Sequence, residues 1–142
     1  MEPTLYYQNK LKNLRQAIAS FTQVMGVDLA KKDAFERDIY KNAAIQKFEY
    51  CIELYWKVAK LYLFHFKGID ESSPKGVLKA FYKESTMPDD VYESLLQMIL
   101  HRNLLSHLYD PVQFETIFSC LKSHSSALLR ALEAFSESPT KS

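Results

Sequence analysis

Glycine, proline and cysteine are all scarce in this sequence, and each shortage narrows the possible folds. The 142 residues contain only three glycines and five prolines, whereas 47% are hydrophobic and 13% aromatic. This composition suits a packed helical domain and argues against disorder. The two cysteines, Cys51 and Cys120, are far apart and form no CxxC pair. We therefore expect them to be reduced core residues in a cytosolic protein.

An excess of charge of one sign and a long apolar run are also missing. The chain has 18 basic and 17 acidic residues, a net charge of +1, so it has no global field to attract nucleic acid or an anionic membrane. Its most apolar stretch, residues 51–66, is interrupted by Glu53, Lys57 and other polar residues, which argues against a membrane span. The N-terminus lacks the basic-then-apolar pattern of a secretory signal. We expect a soluble cytoplasmic protein with no membrane partner and, at most, local contacts with RNA.

The motifs of several common enzyme classes are absent as well. No GxxxxGK[ST], GxGxxG, HExxH or GxSxG sequence occurs, which argues against nucleotide hydrolysis and dinucleotide binding. His65, His101 and His124 are interpreted as isolated, because none has a partner at ligand spacing. We therefore expect no metal site and no other cofactor.

Apolar residues recur at spacings of three and four through most of the chain, and this pattern predicts amphipathic helices. The second helix is apolar on more than one side, so it is predicted to run through the centre, with Phe35 and Ile39 on its core face. We expect an all-α antiparallel up-and-down bundle, one domain over residues 1–135, and a disordered tail over 136–142. The five helices are predicted at residues 5–24, 32–67, 74–84, 89–109 and 111–135.

Six polar side chains share one side of the fourth helix near its end, at about 100° of rotation per residue. Upstream, the same side is apolar, with Val91, Leu95 and Ile99. A guanidinium that continues a core stripe must be paired, hydrogen-bonded or directed into a cleft. The six residues are Arg102, Asn103, Ser106, His107, Tyr109 and Asp110.

Arginine and histidine together can support chemistry without a metal. An imidazole exchanges protons near neutral pH, and a guanidinium binds a phosphate and stabilises its growing charge. Cleavage of RNA by its own 2′-hydroxyl needs little more, with Arg102 on the phosphate and His107 moving protons. Asn103 and Ser106 would then orient neighbouring groups. The structural alternative is a salt bridge from Arg102 to Asp110 or Glu53, and the residue types leave both interpretations open.

Three segments together resemble one known family. Residues 102–110, R-N-L-L-S-H-L-Y-D, resemble the R-N-x-x-x-H-x-Y motif of the HEPN superfamily. Residues 46–57 are similar to the QxFExxxELxWK block of its nucleotidyltransferase substrate-binding branch, and residues 73–81 resemble the short third helix of that branch. The resemblance implies an up-and-down helical bundle, commonly a homodimer, encoded beside a minimal nucleotidyltransferase.

Two functions come with this resemblance. In many HEPN proteins the motif Arg and His, here Arg102 and His107 supported by Asn103, form a metal-independent ribonuclease. Such proteins are often toxins, neutralised by a cognate nucleotidyltransferase that adenylylates the motif tyrosine, here Tyr109. The alternative is a non-catalytic subunit of a split nucleotidyltransferase, which would hold a nucleotide or an acceptor without cleaving anything.

A line of polar residues at spacings of three and four runs along the second helix, and the resemblance gives it a second interpretation. The line consists of Gln46, Glu49, Glu53, Lys57 and Lys60. Its spacing alone is typical of a solvated face with favourable neighbouring charges. Because Glu53 and Lys57 fall within the family block, Glu53 is expected to face Arg102, with Lys57 and Asp110 supporting the site. Lys75, Lys79 and Lys83 lie on one side of the third helix, where a solvated surface is the simpler interpretation and a phosphate track the alternative.

Overall fold

The computed structural model describes residues 3–107 and 110–136 of the chain, with the side chains of residues 3 and 107 excepted. These residues form an all-α bundle with no strand in the described ranges, which confirms the predicted fold class. A short 3-10 turn, Leu29–Lys31, precedes α2, a π-helical turn, Leu63–Lys67, follows it, and a 3-10 turn, Leu132–Phe135, follows α5. The helices are α1 (Pro3–Met25), α2 (Ala34–Tyr62), α3 (Pro74–Glu84), α4 (Asp89–His107) and α5 (Pro111–Ala131).

The helix starts follow local side-chain chemistry. Asp33 accepts a hydrogen bond from the Glu36 backbone N–H at 2.8 Å, and the Glu36 side chain accepts one from the Asp33 N–H, which makes a capping box. Ser73 caps α3 ahead of Pro74, and Asp110 caps α5 by accepting from the Val112 N–H at 3.0 Å. Leu104 and Ser106 of α4 line the same cavity as Asp110 and Phe114, so the end of α4 lies beside the start of α5.

Helix α2 contacts all four other helices, which confirms its predicted central position. Its inward residues Phe48, Ile52, Tyr55 and Ala59 are completely buried. The Tyr55 hydroxyl donates a hydrogen bond of 2.8 Å to the Ala131 carbonyl, so even the polar end of this buried ring has a partner. The central helix therefore provides the rigid wall against which α4 and α5 pack.

The predicted core face of α2 was wrong at its N-terminal end. Phe35 is 75% exposed and Ile39 is 50% exposed. Helical spacing determines which side of a helix a residue occupies, but not whether a neighbouring helix extends far enough to cover it. The first two turns of α2 therefore present apolar side chains to solvent.

The remaining expectations about the chain have separate outcomes. Cys51 and Cys120 are free; Cys51 is a core residue, as predicted, whereas Cys120 is only partly buried. Burial raises the pKa of the Cys51 thiol to about 12. Among the described helices, none is long and apolar enough to cross a membrane. Apart from Ser136, the predicted tail lies outside the described residues, as do Leu108 and Tyr109.

Candidate functional site

Arg102 lies where the core stripe of α4 reaches the edge of the bundle. Val91, Leu95 and Ile99 on the preceding turns are buried, whereas the Arg102 side chain is 31% exposed. Its Nε atom lies 3.3 Å from Oε2 of Glu53 on α2, and Nη1 donates a hydrogen bond to Ser106 Oγ. The buried Nε–H is not aligned for a hydrogen bond, so the contact with Glu53 is an ion pair. Arg102 thus joins α4 to α2 and still reaches solvent.

Glu53 is the centre of this polar network. Its Oε2 atom also accepts a hydrogen bond of 3.2 Å from Trp56 Nε1, and its Oε1 atom lies 3.6 Å from Lys57 Nζ. One carboxylate therefore contacts an arginine, a tryptophan and a lysine. The position of Glu53 is the one that the structural alternative and the family resemblance both predicted, so this ion pair alone does not separate catalysis from a structural role.

The other predicted site residues differ in their exposure and in the contacts that they make. Ser106 is exposed, and its hydroxyl donates to the Arg102 carbonyl at 3.1 Å while accepting from the guanidinium. Asn103 is exposed, and Lys57 pairs with Glu53 and lies over the ring of Trp56. Asp110 is occupied in capping α5. Its carboxylate therefore has a definite structural role, whatever else it does.

Two predicted residues lie partly or wholly outside the described structure. The backbone of His107 forms the last residue of α4, but its side chain is outside the described set. Tyr109 is outside it entirely. The helix nevertheless carries position 107 one turn beyond Asn103.

An open cavity of about 440 Å³ lies next to Ser106, between α2, the end of α4 and the start of α5. Its polar lining includes Ser106, Asp110, Gln113 and Glu49. Burial raises the pKa of Glu49, and the positive charge of Arg102 partly opposes this shift. The cavity thus combines hydrogen-bonding groups with a carboxyl that is partly withdrawn from water.

The interpretation of His101 and His124 as isolated was wrong. Nδ1 of His101 lies 2.9 Å from Nε2 of His124, both side chains are buried, and the His124 ring stacks on Phe48. Because 23 residues separate the pair in sequence, no local spacing reveals it. The available signal was that His124 continues the apolar stripe of Leu121 and Leu128 on α5. Within the described ranges no three His, Cys, Asp or Glu residues cluster as a metal site would require.

Residues 9–137 match the family described as nucleotidyltransferase substrate binding protein like. The chain belongs to this family. The match spans every element of the polar network, from Glu53 on α2 to Ser106 on α4. No curated protein is significantly similar to the chain.

Two solved structures are similar to this family member. A protein of Thermus thermophilus matches with a TM-score of 0.72 and 26% identity, covering 84% of this chain and 96% of its own. A chain of the toxin-antitoxin MntA-HpeT crystal structure also has a TM-score of 0.72, with 15% identity, covering 92% of this chain and 96% of its own. At that identity the second likeness shows a shared fold.

Proposed function

We propose that this chain is a HEPN-type component of a two-gene, toxin–antitoxin-like nucleotidyltransferase system. It acts in the cytoplasm as a metal-independent endoribonuclease built on a single domain, residues 1–135. The observation that carries the proposal is the position of Arg102 at the end of a buried stripe. Glu53 and Ser106 hold the guanidinium by Nε and Nη1, and Nη2 has no protein partner among the described residues. A guanidinium anchored in this way has donors left for a phosphate.

The proposed reaction is transesterification within the RNA. The 2′-oxygen attacks the adjacent phosphorus, the bond from phosphorus to the 5′-oxygen breaks, and a 2′,3′-cyclic phosphate and a 5′-hydroxyl form. His107 takes the proton from the 2′-hydroxyl or returns one to the 5′-oxygen, and Arg102 stabilises the charge on the phosphate. Asn103, one residue from Arg102, assists in positioning.

The two proton transfers favour a homodimer, in which two copies of His107 would act as base and acid. Leu100 is 51% exposed, and Asn103 and position 107 follow it on the same face of α4. A second copy packed on this face would cover the exposed leucine. It would also bring the two motifs together.

The proposed partner is a minimal nucleotidyltransferase that binds the chain and adenylylates Tyr109. The family description and the fold shared with a toxin-antitoxin structure support such a partner. The tyrosine oxygen would attack the α-phosphorus of ATP and release pyrophosphate. The attached AMP would add negative charge to the motif that contains Arg102, which must bind the RNA phosphate.

The alternative function is a non-catalytic substrate-binding subunit of a split nucleotidyltransferase. The cavity beside Ser106 favours this alternative, because its volume of about 440 Å³ and its polar lining suit a small nucleotide or acceptor. In that case Arg102 would hold the ligand without catalysing cleavage.

Cleavage of a labelled single-stranded RNA by the pure protein, in the presence of EDTA, tests the main proposal. We expect wild type to release products with 2′,3′-cyclic phosphate ends, and both His107→Ala and Arg102→Ala to lose at least about 100-fold in rate. Incubation with the partner and ATP should stop cleavage and add one AMP to the intact mass, except in Tyr109→Phe. Equal rates for wild type and His107→Ala would refute the ribonuclease. Tight nucleotide binding without cleavage would establish the alternative.

A further inference from the structure

A second pocket lies on the surface formed by α1 and α2. It is next to the polar network but outside the R-N-x-x-x-H-x-Y motif at the end of α4. It encloses about 330 Å³, and its lining is mainly apolar. Leu54, Val58 and Leu61 form its aliphatic part. We call it the aromatic–lysine pocket, after its other members Tyr6, Lys10, Trp56, Lys57 and Lys60.

Each aromatic ring of this pocket is accompanied by an ammonium group. Lys10 Nζ lies 5.5 Å from the centre of the Tyr6 ring, and Lys57 Nζ lies 6.0 Å from that of Trp56. Tyr6 is 42% exposed and Trp56 is half-buried, so both rings line an open surface. The hydrogen bond from Trp56 Nε1 to Glu53 fixes the orientation of the indole. The pocket thus offers an indole of fixed orientation and a tyrosine ring, each with an ammonium group over it.

The three lysines are not equally available to a ligand. Lys60 donates to the Glu71 carbonyl and lies 3.9 Å from Asp70, so it holds the following loop. Lys57 is more than half exposed, and among the described residues its one carboxylate partner is Glu53, at 3.6 Å. Lys10 has no carboxylate partner in the described ranges. Two ammonium groups therefore remain for an anion.

We propose that the aromatic–lysine pocket binds one nucleotide unit of single-stranded RNA and leads the strand to Arg102. The base takes the place of the ammonium groups over the Trp56 and Tyr6 rings, and Lys10 and Lys57 turn to the flanking phosphates. Stacking faces beside a positive groove are the usual means of binding single strands without reading sequence. This inference rests on the proposed ribonuclease, for which it supplies a substrate-binding surface.

Glu53 gives the pocket its connection to the candidate site. Its Oε2 atom contacts both Trp56 Nε1 and Arg102 Nε, at 3.2 and 3.3 Å. A nucleotide stacked on Trp56 is therefore separated from the guanidinium by a single carboxylate. Such a local arrangement also accounts for RNA binding by a chain with a net charge of only +1.

Trp56 is the only tryptophan of the chain, so its fluorescence reports on this pocket alone. The probe is a short 2′-O-methyl RNA, which cannot undergo the cleavage reaction because its 2′-oxygen carries no proton. Stacking should quench the wild-type signal to saturation. The double variant Lys10→Gln/Lys57→Gln should bind at least about tenfold more weakly, with an unchanged circular dichroism spectrum.

The matched control is Lys75→Gln/Lys79→Gln, which removes the same two charges from the exposed face of α3. It should bind like wild type. Equal weakening of both double variants would indicate general attraction and overturn the proposal, as would unquenched Trp56 fluorescence under conditions where a labelled probe binds. Quenching by free AMP at the same concentration as the oligonucleotide would assign the pocket to mononucleotides and overturn the strand assignment.

Arg102→Ala separates this inference from the proposed function. That variant should lose cleavage but still show quenching by the uncleavable RNA. Quenching in wild type without any cleavage of normal RNA would leave the pocket standing and refute the ribonuclease. Cleavage of normal RNA without quenching of Trp56 would support the ribonuclease and refute the pocket.

Discussion

His101 and Arg102 are neighbours on α4, yet their polar groups are accommodated in opposite ways. The two side chains leave the helix about 100° apart, so His101 points to α5 and Arg102 to α2. His101 is 8% exposed and pairs with the buried His124. Arg102 remains about one-third exposed and pairs with Glu53. The helix therefore presents one buried polar contact and one contact open to solvent, a single residue apart.

The two pairs also differ in charge, which explains their different positions. Burial lowers the pKa of His101, and burial followed by repulsion from His101 lowers the pKa of His124 to about 4. Both imidazoles are then neutral near pH 7, and one ring can donate its N–H to the other. A guanidinium cannot lose its proton in this way. It therefore needs a carboxylate and lies at the edge of the bundle, where it can also reach a ligand.

The largest effect on stability is expected from His124→Ala. The change removes a buried ring from the face of Phe48 and leaves His101 without its partner, at a cost of about 3 to 4 kcal/mol in the free energy of unfolding. Urea unfolding followed by circular dichroism measures the difference. His124→Gln, which fills more of the space and keeps an acceptor, should lose less. If both variants lost under about 1 kcal/mol, the pair would be unimportant for holding α4 against α5.

The next effect concerns pH. The folded-state pKa of His124, about 4, lies below its ordinary value of 6.5. Between pH 4 and pH 6.5, His124 is therefore protonated in the unfolded chain but neutral in the folded chain. The contribution of neutral His124 to the free energy of unfolding is fully present above about pH 6.5. It falls by on the order of 3 kcal/mol as the pH drops toward 4. Urea midpoints at pH 7.5, 6 and 5 test this. His124→Gln should flatten the profile, and an equally steep profile in that variant would assign the loss to other groups.

The smallest effects on stability are expected from the ion pairs. Arg102→Ala should cost only about 1 kcal/mol, because the Glu53 carboxylate keeps Trp56, Lys57 and partial contact with water. Arg130→Ala breaks the more exposed pair with Asp90, in which Arg130 Nη1 lies 2.7 Å from Asp90 Oδ2. This change should leave the urea midpoint unchanged within error. A loss for Arg102→Ala as large as that for His124→Ala would make Arg102 mainly a structural residue.

The extent of prediction from sequence differs between the helices and the site. The limits of α3, the cap at Ser73 and the central position of α2 follow from local spacing and capping chemistry, and the structure confirms them. Phe35 and Ile39 follow the same spacing but are exposed. Whether these two side chains are buried depends on how far a neighbouring helix extends, and the local sequence does not contain that information.

The pairs show the same limit more sharply. The residue types left Asp110 and Glu53 as possible partners of Arg102, the family resemblance favoured Glu53, and the contact is 3.3 Å between Nε and Oε2. His101 and His124 belong to no comparable motif, so the sequence does not predict their contact. The aromatic–lysine pocket joins Tyr6 and Lys10 of α1 to residues of α2, and helical periodicity relates residues within one helix only.

Arg102 combines local and tertiary information at one position of α4. The sequence by itself determined that an arginine would continue a buried stripe near the end of a helix, because helical periodicity is a property of the local chain. It also determined the residue types available for chemistry there. Only the tertiary structure decided that Glu53 would pair with Arg102 and that His124 would give His101 a buried partner. These contacts depend on the packing of α1, α4 and α5 around α2, which brings together side chains that are remote in sequence.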